Sequence, residues 1–300
     1  MHPKSPPLVS RLLHCGLAES RRKLITEALI RRDYKSAERM LVDEINANPA
    51  SPELLSIAAG VFFLDHDFWN SAIALKKADA LRPLSSSDRF ALCLSFIASG
   101  HGDWARPELE QLLKESSEDP IYLYWLARIN YDDRRYPESI LLLERVIRLA
   151  PDNVKAYDNL GLSLEGSGRL DEALTAYAEA VRLNRQLSAP SPWPPLNQGT
   201  LLTRMGRNLE AERSLREALQ YAPGLAQAHF RMGALYDKEG YENEALGELK
   251  QAVSLDRNYP DPLYALMRIY RRRGEEQLAE QTLAEFKRLH SLQRDQLLRK

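Results

Sequence analysis

Cysteine is nearly absent from this chain, which has 2 cysteines among 300 residues. Cys15 and Cys93 are far apart, so they give neither a disulfide framework nor the paired spacing of a structural zinc site. An isolated cysteine among apolar neighbours acts as a small buried side chain. The sequence therefore argues against a disulfide-stapled domain, and we expect Cys93 to lie in the core.

Long apolar runs are also missing, since the longest is Ile57–Leu64. A membrane-spanning helix needs about 18 or more apolar residues in succession. The first seven residues lack the apolar stretch of a secretory signal. The stretch Leu12–Cys15 resembles a lipoprotein cleavage site, but His14 is too large for the place before the cysteine. The sequence thus predicts a cytoplasmic protein without a membrane segment.

Neither sign of charge predominates, because 41 Lys and Arg oppose 42 Asp and Glu for a formal net charge of −1. A nucleic-acid groove needs excess Lys and Arg to neutralise phosphates, so nucleic acid is not an expected partner. The sequence contains no nucleophile elbow, phosphate-binding glycine loop or His–Glu metal motif. Its histidines are dispersed, without ligand spacing. We therefore expect no enzymatic activity, no metal site and no cofactor.

The sequence does contain a repeat of 34 residues, which occurs eight times with one insertion. Its windows open at Ala18, Pro52, Ser86, Pro120, Val154, Pro192, Ala226 and Pro260. The twentieth place is always small: Ala37, Ser71, Ala105, Ser139, Ala173, Ala211, Ala245 and Ala279. The eighth place is small in all but the two end windows: Ala59, Cys93, Ala127, Gly161, Gly199 and Gly233. A period of this length indicates stacked pairs of helices, which approach closely where side chains are small.

The fifth window shows both helices of a pair. Leu160, Gly161 and Leu164 share one face of a first helix. The stretch Gly166–Gly168 ends that helix, since glycine adopts the left-handed closing conformation. Proline ends the second helix of the preceding window, and we expect Asp152 to cap the next helix.

Three segments depart from the pattern or extend it. Pro107 falls inside the second helix of the third window, so we expect that helix to start near Arg106 and the match of Ala105 to be accidental. The inserted residues 185–191 either extend the preceding helix by one turn or form a loop. The stretch from residue 275 to residue 300 lacks glycine and proline, which predicts one long closing helix.

Three motifs carry a resemblance to a known family: Tyr-x-x-Leu-Gly at Tyr157–Gly161, Ala-x-x-x-Tyr at Ala173–Tyr177, and Met-Gly-x-x-Tyr at Met232–Tyr236. They resemble the tetratricopeptide repeat family over residues 18–291. The resemblance implies an all-α fold, a right-handed α-solenoid of about eight helix-turn-helix repeats with a C-terminal capping helix. It also implies that the first helices line a concave groove that binds a protein or peptide.

At about 100° per residue, places 2, 5, 6, 9, 12 and 13 of each first helix lie opposite its packing face, on the groove side. The candidate peptide-binding residues there are Tyr124, Trp125, Arg128, Tyr131, Asn159, Trp193, Asn197, Phe230, Arg231, Tyr264 and Arg268. Aromatic side chains anchor partners, asparagine pairs with a peptide backbone, and arginine favours carboxylates. A structural role for Asn159 at a helix terminus is the alternative.

The second and third windows place mostly apolar residues on the groove side: Ile57, Gly60, Phe63, Phe90, Ala91, Leu94 and Ile97. Either the N-terminal segment covers them or they stay open. We expect a flexible segment at residues 1–17, the repeat array at residues 18–291 and the end of the capping helix at residues 292–300. The predicted function is a protein-interaction scaffold. The alternatives are a homo-oligomer joined through the apolar windows and, more weakly, an RNA-binding array.

Overall fold

The computed structural model describes residues 8–13 and 15–297, and the chain divides into two compact units, Met1–Asp133 and Arg134–Lys300. The described residues contain seventeen helices and no strand, which confirms the predicted all-α repeat fold. The first unit holds α1 (Leu8–Leu12), α2 (Glu19–Ile30), α3 (Tyr34–Ala47), α4 (Pro52–Leu64), α5 (Phe68–Leu81), α6 (Ser86–Ala98), α7 (Gly102–Glu115) and α8 (Pro120–Asp132). The second unit holds α9 (Tyr136–Leu149), α10 (Val154–Gly166), α11 (Leu170–Asn184), α12 (Trp193–Arg204), α13 (Asn208–Tyr221), α14 (Ala226–Glu239), α15 (Glu242–Leu255), α16 (Asp261–Arg272) and α17 (Glu276–Leu297). Within the described ranges, no helix combines the length and apolar character needed to cross a lipid bilayer.

The first helix of every window begins at the predicted opening or one residue after it. Side chains fix several of these starts. Ser51, Ser85 and Asn153 each accept a hydrogen bond from the backbone N–H three residues later. The expected cap Asp152 is therefore wrong by one residue, because α10 begins at Val154 and its free N–H groups face Asn153.

One left-handed residue closes the turn between the two helices of every pair. It is always the fifteenth place of the window, and its φ lies between 59° and 83°. These residues are Arg32, His66, Gly100, Arg134, Gly168, Gly206, Gly240 and Gly274. Glycine adopts this conformation freely, whereas the other side chains lose about 1 kcal/mol or more there. The same turn therefore forms in all eight windows, even where no glycine marks it.

Small residues at the eighth place let large side chains reach between the helices of a pair. A Cβ atom at Gly161 would lie 2.4 Å from Cε1 of Tyr177, whose side chain is completely buried. Cys93 holds the same place in the third window and is also fully buried, as expected. Burial raises the pKa of the Cys93 thiol well above its ordinary value, so this cysteine is a packing residue.

The N-terminal segment differs from the flexible stretch expected at residues 1–17. Residues 8–12 form α1, and Leu12 is 1% exposed in a core cluster with Ile25, Leu54 and Ile57. Apolar residues four apart give this short helix one apolar side, which packs on α2 and α4. His14, before the cysteine of the possible cleavage site, and residues 1–7 lie outside the described residues.

The second helix of the third window starts earlier than expected. α7 begins at Gly102 and includes Pro107, and Ala105 is fully buried rather than an accidental match. Proline removes one hydrogen bond of the helix, but Asp103, whose carbonyl loses its partner, is exposed to water. Burial of Ala105, Leu109 and Leu112 keeps the helix continuous.

The insertion at residues 185–191 forms a loop. α11 ends at Asn184, only one residue longer than most second helices. The Asn184 side chain is completely buried. Its Nδ2 donates to the carbonyl of Ser191 and its Oδ1 accepts from the N–H of Ser191, both at 2.8 Å. The loop is therefore closed at its base, and the next window resumes in register at Trp193.

The chain ends in the long helix predicted from the absence of glycine and proline. α17 runs from Glu276 to Leu297, and residues 298–300 lie outside the described residues. Its buried residues Ala279 and Leu289 pack toward the preceding helices.

Candidate functional site

In the described part of the second unit, the first helices contact one another, whereas the second helices do not. α10 contacts α12, α12 contacts α14, and α14 contacts α16. Among the described residues of this unit, no second helix contacts another second helix. The first helices therefore line the inner face of the unit, as the family resemblance implies.

Four of the predicted binding residues lie on α8 in the first unit. Tyr124, Trp125, Arg128 and Tyr131 are all partly buried. The rings of Tyr124 and Trp125 meet edge to face, with centroids 5.7 Å apart. The other seven predicted residues belong to the second unit, so the set is divided between the two units.

The two asparagines of the predicted ladder have partners inside the protein. Asn159 is 5% exposed, and its Nδ2 donates to the carbonyl of Lys155 at 2.8 Å, one turn earlier in α10. Nδ2 of Asn197 donates to the carboxylate of Asp158 at 2.9 Å and thereby joins α12 to α10. The burial of Asn159 favours a structural role, which it plays within α10 rather than at the helix terminus that the alternative named. Trp193, at the start of α12, is 46% exposed.

A cleft on the inner face brings together three of the predicted residues, Phe230, Tyr264 and Arg268. Its volume is about 670 Å³, and we call it the C-terminal cleft. Its lining residues are Phe230, Ala234, Asp237 and Lys238 of α14, Asp261, Tyr264, Ala265, Arg268 and Arg272 of α16, and Phe286 and His290 of α17. A volume within the range of about 300–1,000 Å³ is typical of ligand sites.

Aromatic rings form one wall of the C-terminal cleft. Tyr264 is 47% exposed and packs against Phe286, with ring centroids 5.4 Å apart. Phe286 in turn contacts the ring of His290 at 5.6 Å. The guanidinium of Arg231 lies over Phe230, 5.3 Å from the ring centroid, which places this predicted residue at the edge of the cleft. The wall thus offers an apolar surface that remains open to a ligand.

Most charges in the C-terminal cleft already have partners. Arg272 pairs with Asp237 and Glu242, and its hydrogen bond to Asp237 raises its pKa further above the ordinary arginine value. Lys238 donates to the carbonyl of Thr203 at 2.6 Å. Arg268 is exposed and has no hydrogen bond or ion pair with any side chain that the structure describes. The cleft therefore holds a guanidinium available to a carboxylate, beside the Tyr264–Phe286 wall.

Sequence reasoning missed Phe286 and His290, the contribution of α17 to the C-terminal cleft. The family resemblance places the groove on first helices, whereas α17 is a second helix. α17 packs against α16, and its side chains Phe286 and His290 lie among those that line the cleft. The available signal was the length of the final helix, which exceeds that of any other second helix.

The phenol of Tyr259 provides a test of packing at the edge of this site. Tyr259 contacts Phe230 with ring centroids 5.4 Å apart, and burial, followed by the charge of Asp261, raises the pKa of Tyr259 to about 12. An unfolded tyrosine ionises near pH 10, so the unfolded state loses this proton first. The contribution of Tyr259 to stability is therefore complete below pH 10 and is lost as the pH rises toward about 12.

We expect an ultraviolet absorbance titration of the folded chain to show a late tyrosinate step whose amplitude Tyr259→Phe lowers by one tyrosine. The step is not expected to vanish, because burial also raises the pKa values of Tyr122, Tyr221 and Tyr236. Tyr241→Phe, at a side chain that is 54% exposed, should leave that late step in place. A late step that persists unchanged in Tyr259→Phe would show that this phenol is not held as the structure indicates.

Comparison with known proteins identifies the repeat. Two family models described as tetratricopeptide repeat match the chain, one at residues 90–154 and 134–191 and the other at residues 226–259. The TPR repeat-containing thioredoxin TTL4 of Arabidopsis thaliana is 32% identical over 95 residues, which cover 30% of this chain and 14% of that protein. The chain therefore spans a small part of the length of that relative.

Solved structures show the same fold at low sequence identity. A tetratricopeptide repeat protein from Parabacteroides merdae has a TM-score of 0.67 and 16% identity, and the match covers 89% of this chain and 100% of that one. The pilF protein of Pseudomonas aeruginosa has a TM-score of 0.58 and 18% identity, over 72% of this chain and 96% of that one. Tetratricopeptide repeats generally mediate protein–protein interactions. The matched repeats and the recurring helical pairs together show that this chain belongs to the tetratricopeptide repeat family.

Proposed function

We propose that this chain is a protein-interaction module whose C-terminal cleft binds an extended segment of a partner protein. The segment presents a carboxylate next to an aromatic or large aliphatic side chain. The observation that carries the proposal is the exposed guanidinium of Arg268 beside the open wall of Tyr264 and Phe286. Interaction as a scaffold in the cytoplasm stays a prediction of the sequence.

The aromatic wall supplies the anchor for such a segment. Aromatic residues dominate binding energy at interfaces because they bury much apolar area with few rotatable bonds. Tyr264 is 47% exposed, so a partner side chain that covers it removes apolar surface from water. The cleft volume of about 670 Å³ accommodates a few side chains rather than a whole domain.

The charges around the wall set the preferred sign of the ligand. Asp237 is neutralised by Arg272, and the other carboxylate of the lining, Asp261, lies about two turns before Arg268 on α16. Arg268 lines the cleft without a carboxylate partner among the described side chains. A hydrogen bond between arginine and a carboxylate is charge-assisted and often bidentate, which adds orientation to affinity. An acidic ligand therefore fits better than a basic one. Some family members bind the acidic termini of chaperones through Lys, Asn and Arg at fixed places of the first windows. In this chain those places hold Arg22, Thr26, Ile57 and Phe90.

Self-association through the apolar windows has less surface than the sequence indicated. Ile57 is 1% exposed and Phe90 is 6% exposed, and α1 packs on the groove side of α4. The first unit therefore presents a smaller apolar face to a second copy than an open groove would.

We expect Arg268→Glu to weaken binding of acidic ligands at least about tenfold, since it replaces a charge-assisted hydrogen bond with repulsion between like charges. The measurement uses an array of decapeptides in which acidic, aromatic and aliphatic residues vary independently, followed by titration of the best binder in solution. Tyr264→Ala should weaken the same peptide through loss of its apolar anchor.

Matched controls separate the cleft from the general surface. Arg271→Glu makes the same change of charge on the same helix, at an exposed residue outside the cleft. Tyr241→Ala removes a tyrosine that is exposed to a similar degree and lies away from the cleft. Equal loss of binding in Arg268→Glu and Arg271→Glu would refute the site, and an array without any acidic binder would refute the ligand class.

A further inference from the structure

The N-terminal helix α1 occupies the groove side of the first unit through a fitted contact. A Cβ atom at Gly60 would lie 2.5 Å from Cδ2 of Leu8, so the glycine leaves the space that the leucine fills. Gly60 lies on α4 at a place predicted to face the groove. Leu8 is thus seated where a ligand side chain of this groove would bind.

A partly buried ion pair fixes the other end of α1. Nη1 and Nη2 of Arg11 donate to the two carboxylate oxygens of Asp88 at 2.7 and 2.8 Å. Asp88 lies in the first turn of α6 and is only 8% exposed. A buried carboxylate needs a hydrogen-bonded cationic partner, because its removal from water is costly. The groove therefore contains a buried carboxylate, that of Asp88, which accepts two hydrogen bonds from one guanidinium.

The contact between α1 and the groove is small and leaves space beside it. A cavity of about 390 Å³ lies along α1, with Leu8, Val9 and Arg11 on one side and Phe63 and Leu94 among the residues opposite. Helices α2 and α4 are the only ones that α1 contacts by backbone proximity within the described residues. A helix of five residues is not stable alone, so it holds its place only through these contacts.

We propose that the groove of α4 and α6 is a second interaction surface and that α1 is its internal occupant. The partner is a segment with a leucine-sized side chain three positions before an arginine, the spacing of Leu8 and Arg11. This segment displaces α1, places its apolar side chain against Gly60 and pairs its guanidinium with Asp88. The proposal concerns the first unit and does not depend on the function of the C-terminal cleft.

Competition between α1 and the partner sets the apparent affinity. A tethered segment acts at an effective concentration of about millimolar, so it weakens binding of any external segment of the same chemistry. Variants that detach α1 should therefore expose the surface. These variants keep Leu12 unchanged, so no side chain of the core cluster that contains Leu12, Ile25 and Leu54 is shortened.

The test uses a fluorescein-labelled peptide with the sequence of residues 6–13, titrated against the full chain by polarisation. We expect the double variant Leu8→Ala/Arg11→Ala to bind this peptide at least about tenfold more tightly than the native chain, because the competing segment is lost. Addition of Asp88→Asn to the double variant should remove the gain, and so should replacement of the arginine in the peptide by glutamine. Circular dichroism checks that the variants keep their helical content.

A second measurement uses only the native chain. Saturating unlabelled peptide should accelerate hydrogen exchange of the Leu13 amide, which donates to the carbonyl of Ser10 at the end of α1, while the amides of α4 stay protected. Unchanged exchange at Leu13, equal binding to the native and double-variant chains, binding that survives Asp88→Asn, or no binding up to about 1 mM peptide would each overturn the proposal.

Discussion

Gly161→Leu is expected to lower the free energy of unfolding of the chain by about 3 kcal/mol. The first added carbon would lie 2.4 Å from Cε1 of Tyr177, far inside any real contact between carbon atoms. Tyr177 is completely buried, and its hydroxyl donates to Glu165 at 3.0 Å. The ring therefore cannot move away from an added side chain without losing its packing or this hydrogen bond. Overpacking of a well-packed core costs about 1–3 kcal/mol, and four added carbon atoms place this substitution at the upper end. Denaturant unfolding followed by circular dichroism measures the loss.

The control is the same substitution at a glycine without a close neighbour. Gly247 lies inside α15, and a Cβ atom there meets nothing within 4 Å, so Gly247→Leu should stabilise the chain by about 0.8 kcal/mol through helix propensity. Tyr177→Ala in the Gly161→Leu background should cost less than the sum of the two single changes, since the shortened side chain makes room for the leucine. Additive effects, or a similar loss at both glycines, would contradict the packing between α10 and α11.

The regular part of the fold could be predicted because each window repeats the same steric problem. A small residue at the twentieth place and another at the eighth permit the close approach of two helices, and this requirement recurs every 34 residues. Every first helix begins at the predicted opening or one residue later. The left-handed turn was harder to see, because Arg32, His66 and Arg134 adopt it without the glycine that usually marks it.

The parts that could not be predicted depend on contacts between distant residues. Arg11 and Asp88 are 77 residues apart, so no periodic pattern links α1 to the groove. Phe286 reaches the C-terminal cleft from a second helix, whereas the groove rule considered only first helices. Pro107 predicts a helix start near Arg106, but α7 begins at Gly102 because the burial of Ala105 and Leu109 outweighs one lost hydrogen bond. Periodic sequence patterns thus predict the helices that pack mainly against the neighbouring window, and they miss contacts between residues that are far apart in the sequence.

The loop at residues 185–191 gives a large expected effect from a side chain that no repeat rule identifies. Asn184→Leu should lower the free energy of unfolding by about 2–4 kcal/mol. The nitrogen and the oxygen of the fully buried Asn184 side-chain amide both form hydrogen bonds with the backbone of Ser191 at 2.8 Å. Leucine can replace neither bond. The N–H and carbonyl of Ser191 then lack partners in a partly buried site, and each such group costs about 1–3 kcal/mol. Denaturant unfolding again measures the change.

Asn70→Leu provides the matched control for the loop. Asn70 is exposed, and its side chain makes one hydrogen bond, from Nδ2 to the carboxylate of Asp67 at 2.8 Å. Water replaces that partner readily, so the substitution should change stability by no more than about 0.5 kcal/mol. A small effect at both asparagines would mean that the loop does not need its closure at Asn184. A large effect at Asn184 alone would show that one buried amide keeps the sixth window in register after the four extra residues.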